Sequence, residues 1–202
     1  MKSLLSFFIK DSSIPFEDEI LESIKSGNIN ELSQLFETKN IDPKLLTKQG
    51  LTLMTFAAYH NKTEVIKYLH SIGCDANQTG KNGSSPLTRA CYYKRYDSIK
   101  ILLDLGANIN TKYDEYPLVQ SLYRGNDELI QFLLDHGADT SILHNEEYQE
   151  VIKGLPENIK LVIRKHDAFK RRIPFLMIYM FKNDTYLNKL PRFVVKELVM
   201  FI

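Results

Sequence analysis

The 202-residue chain contains no tryptophan, only two cysteines and no long hydrophobic run. Its two most apolar stretches, Ser3–Ile9 and Phe175–Phe181, are seven residues each. A bilayer-spanning helix takes about 20, so no membrane association is expected. Ser3–Ile9 is closed by Lys10-Asp11 and lacks a small-residue cleavage site, which suits a cap segment better than a secretory leader. Cys74 and Cys91 stand alone without a CxxC pair, which argues against a disulfide framework or a metal site and for a reducing compartment. No GxSxG, HExxH or glycine-rich phosphate loop occurs, and the five histidines are scattered. Without such a constellation no enzyme and no cofactor is expected. Localisation is expected to be cytoplasmic, with the nucleus left open.

Net charge is small, +1, but unevenly spread. Residues 150–202 hold 11 Lys/Arg against 5 Asp/Glu, so the rest of the chain is acidic. The basic group Arg164, Lys165, Lys170, Arg171 and Arg172 fits a solvated helix face. The alternative, a nucleic-acid-associated tail, lacks any base-reading motif to accompany it and is not favoured.

Against these absences stands a repeat. Gly50-Leu51-Thr52-Leu53 leads to Ala57-Ala58, Val65-Ile66, Leu69 and Gly73-Cys74-Asp75. Ser85-Pro86-Leu87 leads to Ala90-Cys91, Ile99, Leu102-Leu103 and Gly106-Ala107-Asn108. Pro117-Leu118 leads to Ser121, Leu129-Ile130, Leu133-Leu134 and Gly137-Ala138-Asp139. A period near 33 is the mark of stacked helix pairs. Thr52 and Ser85 can cap a first helix, with Pro86 and Pro117 in its first turn. Small residues then allow close helix approach, and the i, i+3, i+4 apolar sets form one stripe per second helix. Gly73, Gly106 and Gly137 suit a left-handed helix stop. No single pair can bury its own stripe, so the units must stack.

These residues resemble the ankyrin repeat, most completely over Asn82–Asn110. The departures are Leu53 for proline, Thr55 and Thr88 where histidine is frequent, and Lys94 for the turn glycine. Two weaker units flank the clear ones: Ile20, Ile24, Gly27, Leu32, Leu35 and Phe36 before them, and Gly154, Ile159, Val162 and Ile163 after. The resemblance implies an all-α solenoid of helix pairs with short β-hairpin loops, and a helical C-terminal tail. The expected organisation is an N-terminal cap segment over 1–16, about five repeats over 17–166 with the first and last degenerate, and a tail over 167–202.

The resemblance further implies a monomeric scaffold that binds a protein partner on a concave face. Aligned copies put Tyr59, Tyr92 and Tyr123 in one slot, and His60, Tyr93 and Arg124 in the next. Tyrosine and arginine are enriched at binding hot spots. The competing reading is that these rings only pack between repeats. Hairpin positions Lys48, Gln49, Leu51, Lys81, Asn82, Ser84, Tyr113 and Glu115 would extend the surface.

The tail is also similar to the opening of an F-box, with Leu190-Pro191 ahead of an amphipathic segment. Related shortened C-termini occur in ankyrin proteins of poxviruses, other large viruses and protists, and the Lys-, Asn- and Ile-rich composition suits the AT-rich genome of a large DNA virus, a protist or an intracellular bacterium. That likeness implies docking on a Skp-family ubiquitin ligase adaptor through Leu190, Pro191, Val194, Val195, Leu198 and Val199. The alternative is a structural lid, in which Ile173–Phe181 and Phe193–Ile202 fold back over the last repeat.

Overall fold

In the computed structural model, residues 17–110, 112 and 116–183 are described, the side chains of 169 and 172–183 excepted. They form two compact units, the first reaching Asn108 and the second beginning at Ile109, with Lys112 grouped with the first.

The first unit is three helix pairs: α1 (Glu17–Ser26) with α2 (Ile29–Lys39), α3 (Leu53–Tyr59) with α4 (Thr63–Ser71), and α5 (Pro86–Tyr92) with α6 (Tyr96–Asp104). The short first helices start where the caps require. Thr52 Oγ1 accepts the Thr55 N–H at 3.0 Å, and Ser85 Oγ accepts the Thr88 N–H at 3.1 Å. In each case the two hydroxyls also bond to each other, at 2.7 and 2.8 Å, so Thr55 and Thr88 close the cap. Ala57, Ala58, Ala90 and Cys91 are fully buried and bring α3 against α5. Behind them lie Val65, Ile66 and Leu69 of α4 and Ile99 and Leu102 of α6, also buried. Each such aliphatic side chain contributes about 1.5–3 kcal/mol relative to exposure.

The turns joining the helices of each pair pass through the left-handed region. Asn61 and Lys94 have φ of 56° and 57°. The stops after α4 and α6, Gly73 and Gly106, have φ of 99° and 85°. Of the expected hairpins, the described residues show one isolated antiparallel bridge, Leu46 with Thr52, and no strand. Their tips are nevertheless fastened, since the Lys81 N–H donates to the Gly50 carbonyl at 2.7 Å.

The second unit holds α7 (Pro117–Tyr123) and α8 (Asp127–Asp135), then two short 3-10 helices, α9 (Gln149–Gly154) and α10 (Glu157–Asn183). Leu118, Val119, Leu129, Ile130, Leu133 and Leu134 form its core with the fully covered Tyr148. Ile159 and Ile163 of α10 are buried as the repeat frame expects, while Val162 is half-buried. Thr140 hydroxyl donates to the Asp167 carboxylate, and Asn158 amide to that of Asp127. The helix runs unbroken past His166 and through Pro174. Ile173–Phe181 is therefore a continuation of α10 and not a separate helix folding back. At 27 residues α10 is long, yet no helix among the described residues is apolar enough to cross a membrane.

Candidate functional site

The C-terminal ends of α3 and α5 carry the aromatic residues. Helix α3 stops at Tyr59 with His60 as its cap, and α5 stops at Tyr92 with Tyr93 as its cap. Because both helices are seven residues long and begin at equivalent caps, their ends present equivalent positions side by side. The rings do not stack slot on slot; they meet diagonally. Tyr59 meets Tyr93 edge to face, with centroids 4.5 Å apart and planes at 84°. Tyr93 meets Tyr92 in the same manner at 4.9 Å and 72°. Tyr59 also meets His60 at 4.6 Å, and His60 meets Phe56 at 4.6 Å. Edge-to-face packing suits the ring quadrupoles and adds about 0.5–1.5 kcal/mol per pair beyond burial.

This cluster is half in and half out. Tyr59, His60 and Tyr93 are half-buried, and Tyr92 is 36% exposed. Tyr59 and Tyr93 pack against each other between the repeats, as the packing alternative expects, and brace the outward-facing ring of Tyr92.

Cations border the rings. The Arg89 guanidinium lies 5.9 Å from the Tyr93 centroid, within cation–π range. Arg95 donates from Nε to the Tyr59 carbonyl at 2.9 Å, satisfying one of the orphan acceptors at the end of α3. Burial lowers the His60 pKa from its ordinary 6.5, and the charges of Lys25, Lys62 and Arg95 lower it further against an opposing Glu22. Lys94 is exposed at the α5–α6 turn.

The remaining candidates divide. Lys48, Gln49, Lys81 and Asn82 are exposed at the hairpin tips, where they can extend a binding face. Leu51 and Ser84 are buried beside the caps Thr52 and Ser85, beneath the tips, and this corrects their assignment to the partner surface. Tyr123, 55% exposed, and Arg124, also exposed, end α7 in the second unit. Tyr113 and Glu115 lie outside the described residues, as do Leu190, Pro191, Val194, Val195, Leu198 and Val199.

Sequence reasoning missed the polar staples between repeats. Asn77 accepts the Asn108 N–H at 2.8 Å and donates to the Gly106 carbonyl at 3.1 Å. Asn110 does the same in the second unit with Asp139 and Gly137, at 2.8 and 3.0 Å. Their signal was the shared asparagine two residues after Asp75 and Asn108.

Residues 20–113 match the family model for ankyrin repeats, in three copies. An ankyrin repeat protein of Borreliella burgdorferi is 26% identical over 186 residues, spanning 91% of this chain and 76% of that protein. XBAT35 of Arabidopsis thaliana, whose name places it among E3 ubiquitin-protein ligases, is 33% identical over 128 residues, or 58% of this chain. The chain spans only 27% of the length of XBAT35, and 30% of that of a fowlpox virus ankyrin repeat relative. Among solved structures the human ASB11 ankyrin repeat domain is similar, with a TM-score of 0.52 and 21% identity over 59% of this chain and 54% of that one. That likeness shows the fold alone. The repeats within residues 20–113 are ankyrin repeats.

Proposed function

We propose that the ankyrin repeats of residues 20–113 hold a protein partner on the face where α3 and α5 end. Ankyrin repeats are protein–protein interaction modules, and the fold is a binding scaffold rather than a catalytic one. The observation that carries the placement is the braced, outward-facing Tyr92 at the end of the Tyr59–Tyr93 contact. A large, pre-ordered ring that loses little entropy on binding is the chemistry of a hot spot. Lys48, Gln49, Lys81 and Asn82 would form its rim.

The experiment is site-specific photo-crosslinking of the full chain in native extract. A photoreactive residue at Tyr92 should give a discrete protein adduct, and the same residue at the exposed Lys67 of α4 should not. Equal labelling from both positions, or none from Tyr92, overturns the reading.

A second reading makes the protein an adaptor that brings this partner to a ubiquitin ligase, acting as a cytosolic monomer. It is supported by the Leu190-Pro191 segment and by a ligase among the relatives. Pull-down of a Skp-family adaptor by the full chain, lost in a folded chain ending before Leu190, is the expected result. Equal recovery from both chains overturns it.

A further inference from the structure

The partner-facing rings sit inside a border of like charge. Arg89 covers Tyr93, Arg95 holds the carbonyl of Tyr59, Lys62 and Lys25 act on His60, and Lys94 occupies the α5–α6 turn. The carboxylates nearby are few and engaged. Glu22 pairs with Lys25 at 3.6 Å, and Asp97 accepts from the Asn61 amide at 3.1 Å. Among the described residues no carboxylate lies within ion-pair distance of Arg89, Arg95, Lys62 or Lys94. Arg89 and Arg95 lie against the rings and Lys62 acts on His60, so the potential at this apolar centre is positive in a chain whose overall charge is only +1, and Lys94 follows Tyr93 directly in sequence.

We infer that this face recognises an acidic, extended peptide segment whose carboxylates meet these cations while an apolar side chain packs on Tyr92. The inference rests on the reading that the face binds a protein.

The ring geometry favours peptide over single-stranded nucleic acid, which also uses aromatics and cations. Bases need open ring faces to stack on. Here the rings are spent on one another at interplanar angles of 84°, 82° and 72°, and Arg89 occupies a face of Tyr93. What they leave is an edge-lined apolar patch with guanidinium and ammonium groups beside it. Arginine offers planar, bidentate pairing to carboxylates, and the lysines add long-range attraction.

The test is fluorescence anisotropy of the full chain with three labelled probes of equal length: an alternating Glu/Leu peptide, its Gln/Leu counterpart and oligo-dT. The Glu/Leu peptide should bind at least about tenfold more tightly than the Gln/Leu peptide at low salt, and lose that margin as salt rises. Exchange of the exposed Lys94 and the half-buried Lys62 (Lys94→Gln with Lys62→Gln) should erase most of the margin with no change in the circular dichroism spectrum. Tyr92→Ala should weaken both peptides and leave the margin. Equal affinity for the two peptides, tighter binding of oligo-dT, or a margin untouched by the lysine exchange overturns the inference. A Tyr92 crosslink to a protein through a segment without carboxylates would overturn it too, while leaving the protein-binding reading in place.

Discussion

The side-chain oxygen of Asn61 accepts two hydrogen bonds from Ser98, one from its N–H at 3.2 Å and one from its hydroxyl at 2.9 Å. Its amide reaches Asp97 at 3.1 Å. A turn residue of one repeat therefore caps α6 of the next, while its own backbone sits at φ 56°.

Asn61→Gly keeps the backbone conformation and removes the bridge. A hydrogen bond contributes about 0.5–1.5 kcal/mol net, so the expected loss is roughly 1–3 kcal/mol. Asn61→Ala removes the same bonds and adds left-handed strain of about 1 kcal/mol or more. Urea unfolding should rank wild type above Asn61→Gly, and Asn61→Gly above Asn61→Ala. An Ala variant as stable as the Gly variant contradicts this account.

Lys94 holds the equivalent turn at φ 57° without the amide that suits Asn61 to it. Relief of about 1–2 kcal/mol of left-handed strain outweighs the roughly 0.5–1 kcal/mol that glycine loses in backbone entropy. Lys94→Gly should raise stability by up to about 1 kcal/mol, read as a higher urea midpoint at unchanged slope. The same change should weaken the Glu/Leu peptide, so stability and binding move in opposite directions.

Gly80 is required for space, not for a positive φ. A Cβ there would run into the Gly50 carbonyl that accepts from the Lys81 N–H. Backbone cannot yield as a side chain can, so Gly80→Ala should cost about 1–3 kcal/mol as overpacking. The observable is a lower melting temperature with slower exchange protection lost at the Lys81 amide. An unchanged Lys81 amide would refute the stacked tips.

How far these features are legible in the sequence depends on their range. The caps at Thr52 and Ser85, the stops at Gly73 and Gly106 and the small faces of α3 and α5 are local demands of backbone and volume, so they recur at the repeat period. The Tyr59–Tyr93 contact depends on the offset between stacked repeats, and a same-slot alignment pairs Tyr59 with Tyr92 instead. The Asn61 bridge links residues 37 apart and has no local signal. Helix α10 runs through Pro174, although proline removes a helical hydrogen bond at about 3 kcal/mol, so the fold-back of Ile173–Phe181 expected of a lid is not seen.

Both thiols are sealed. Burial, with a smaller push from the Asp42 charge, raises the Cys74 pKa to about 12, and its Sγ donates to the Pro43 carbonyl at 3.2 Å. Burial alone pushes the fully covered Cys91 thiol up as well. Only the thiolate reacts, so a disulfide reagent at neutral pH should label neither cysteine in the native chain and both in urea. Prompt labelling of Cys91 in the native state would show that α3 and α5 open readily, and of Cys74 that the turn after α4 lifts from Pro43.

His166 sets the acid limit of the second unit. It is buried on α10, and that burial lowers its pKa below the ordinary 6.5, helped by Lys170 and opposed by Asp167, the Leu134 backbone and Asp135. In the unfolded chain the imidazole takes its proton near 6.5, so the unfolded state binds more protons between that pH and the lower folded value. Stability is then complete above about pH 6.5 and is lost as pH falls through the folded pKa. His60 shifts in the same direction, so it adds a parallel loss in the first unit. The Lys170–Asp139 pair at 3.6 Å persists through this range, because Ser141 and Lys170 outweigh burial and hold the Asp139 carboxyl below its usual value. The melting temperature of the full chain should therefore fall as pH drops below about 6.5, and His166→Gln should flatten that slope. A His166→Gln variant with the wild-type slope would assign the acid sensitivity elsewhere.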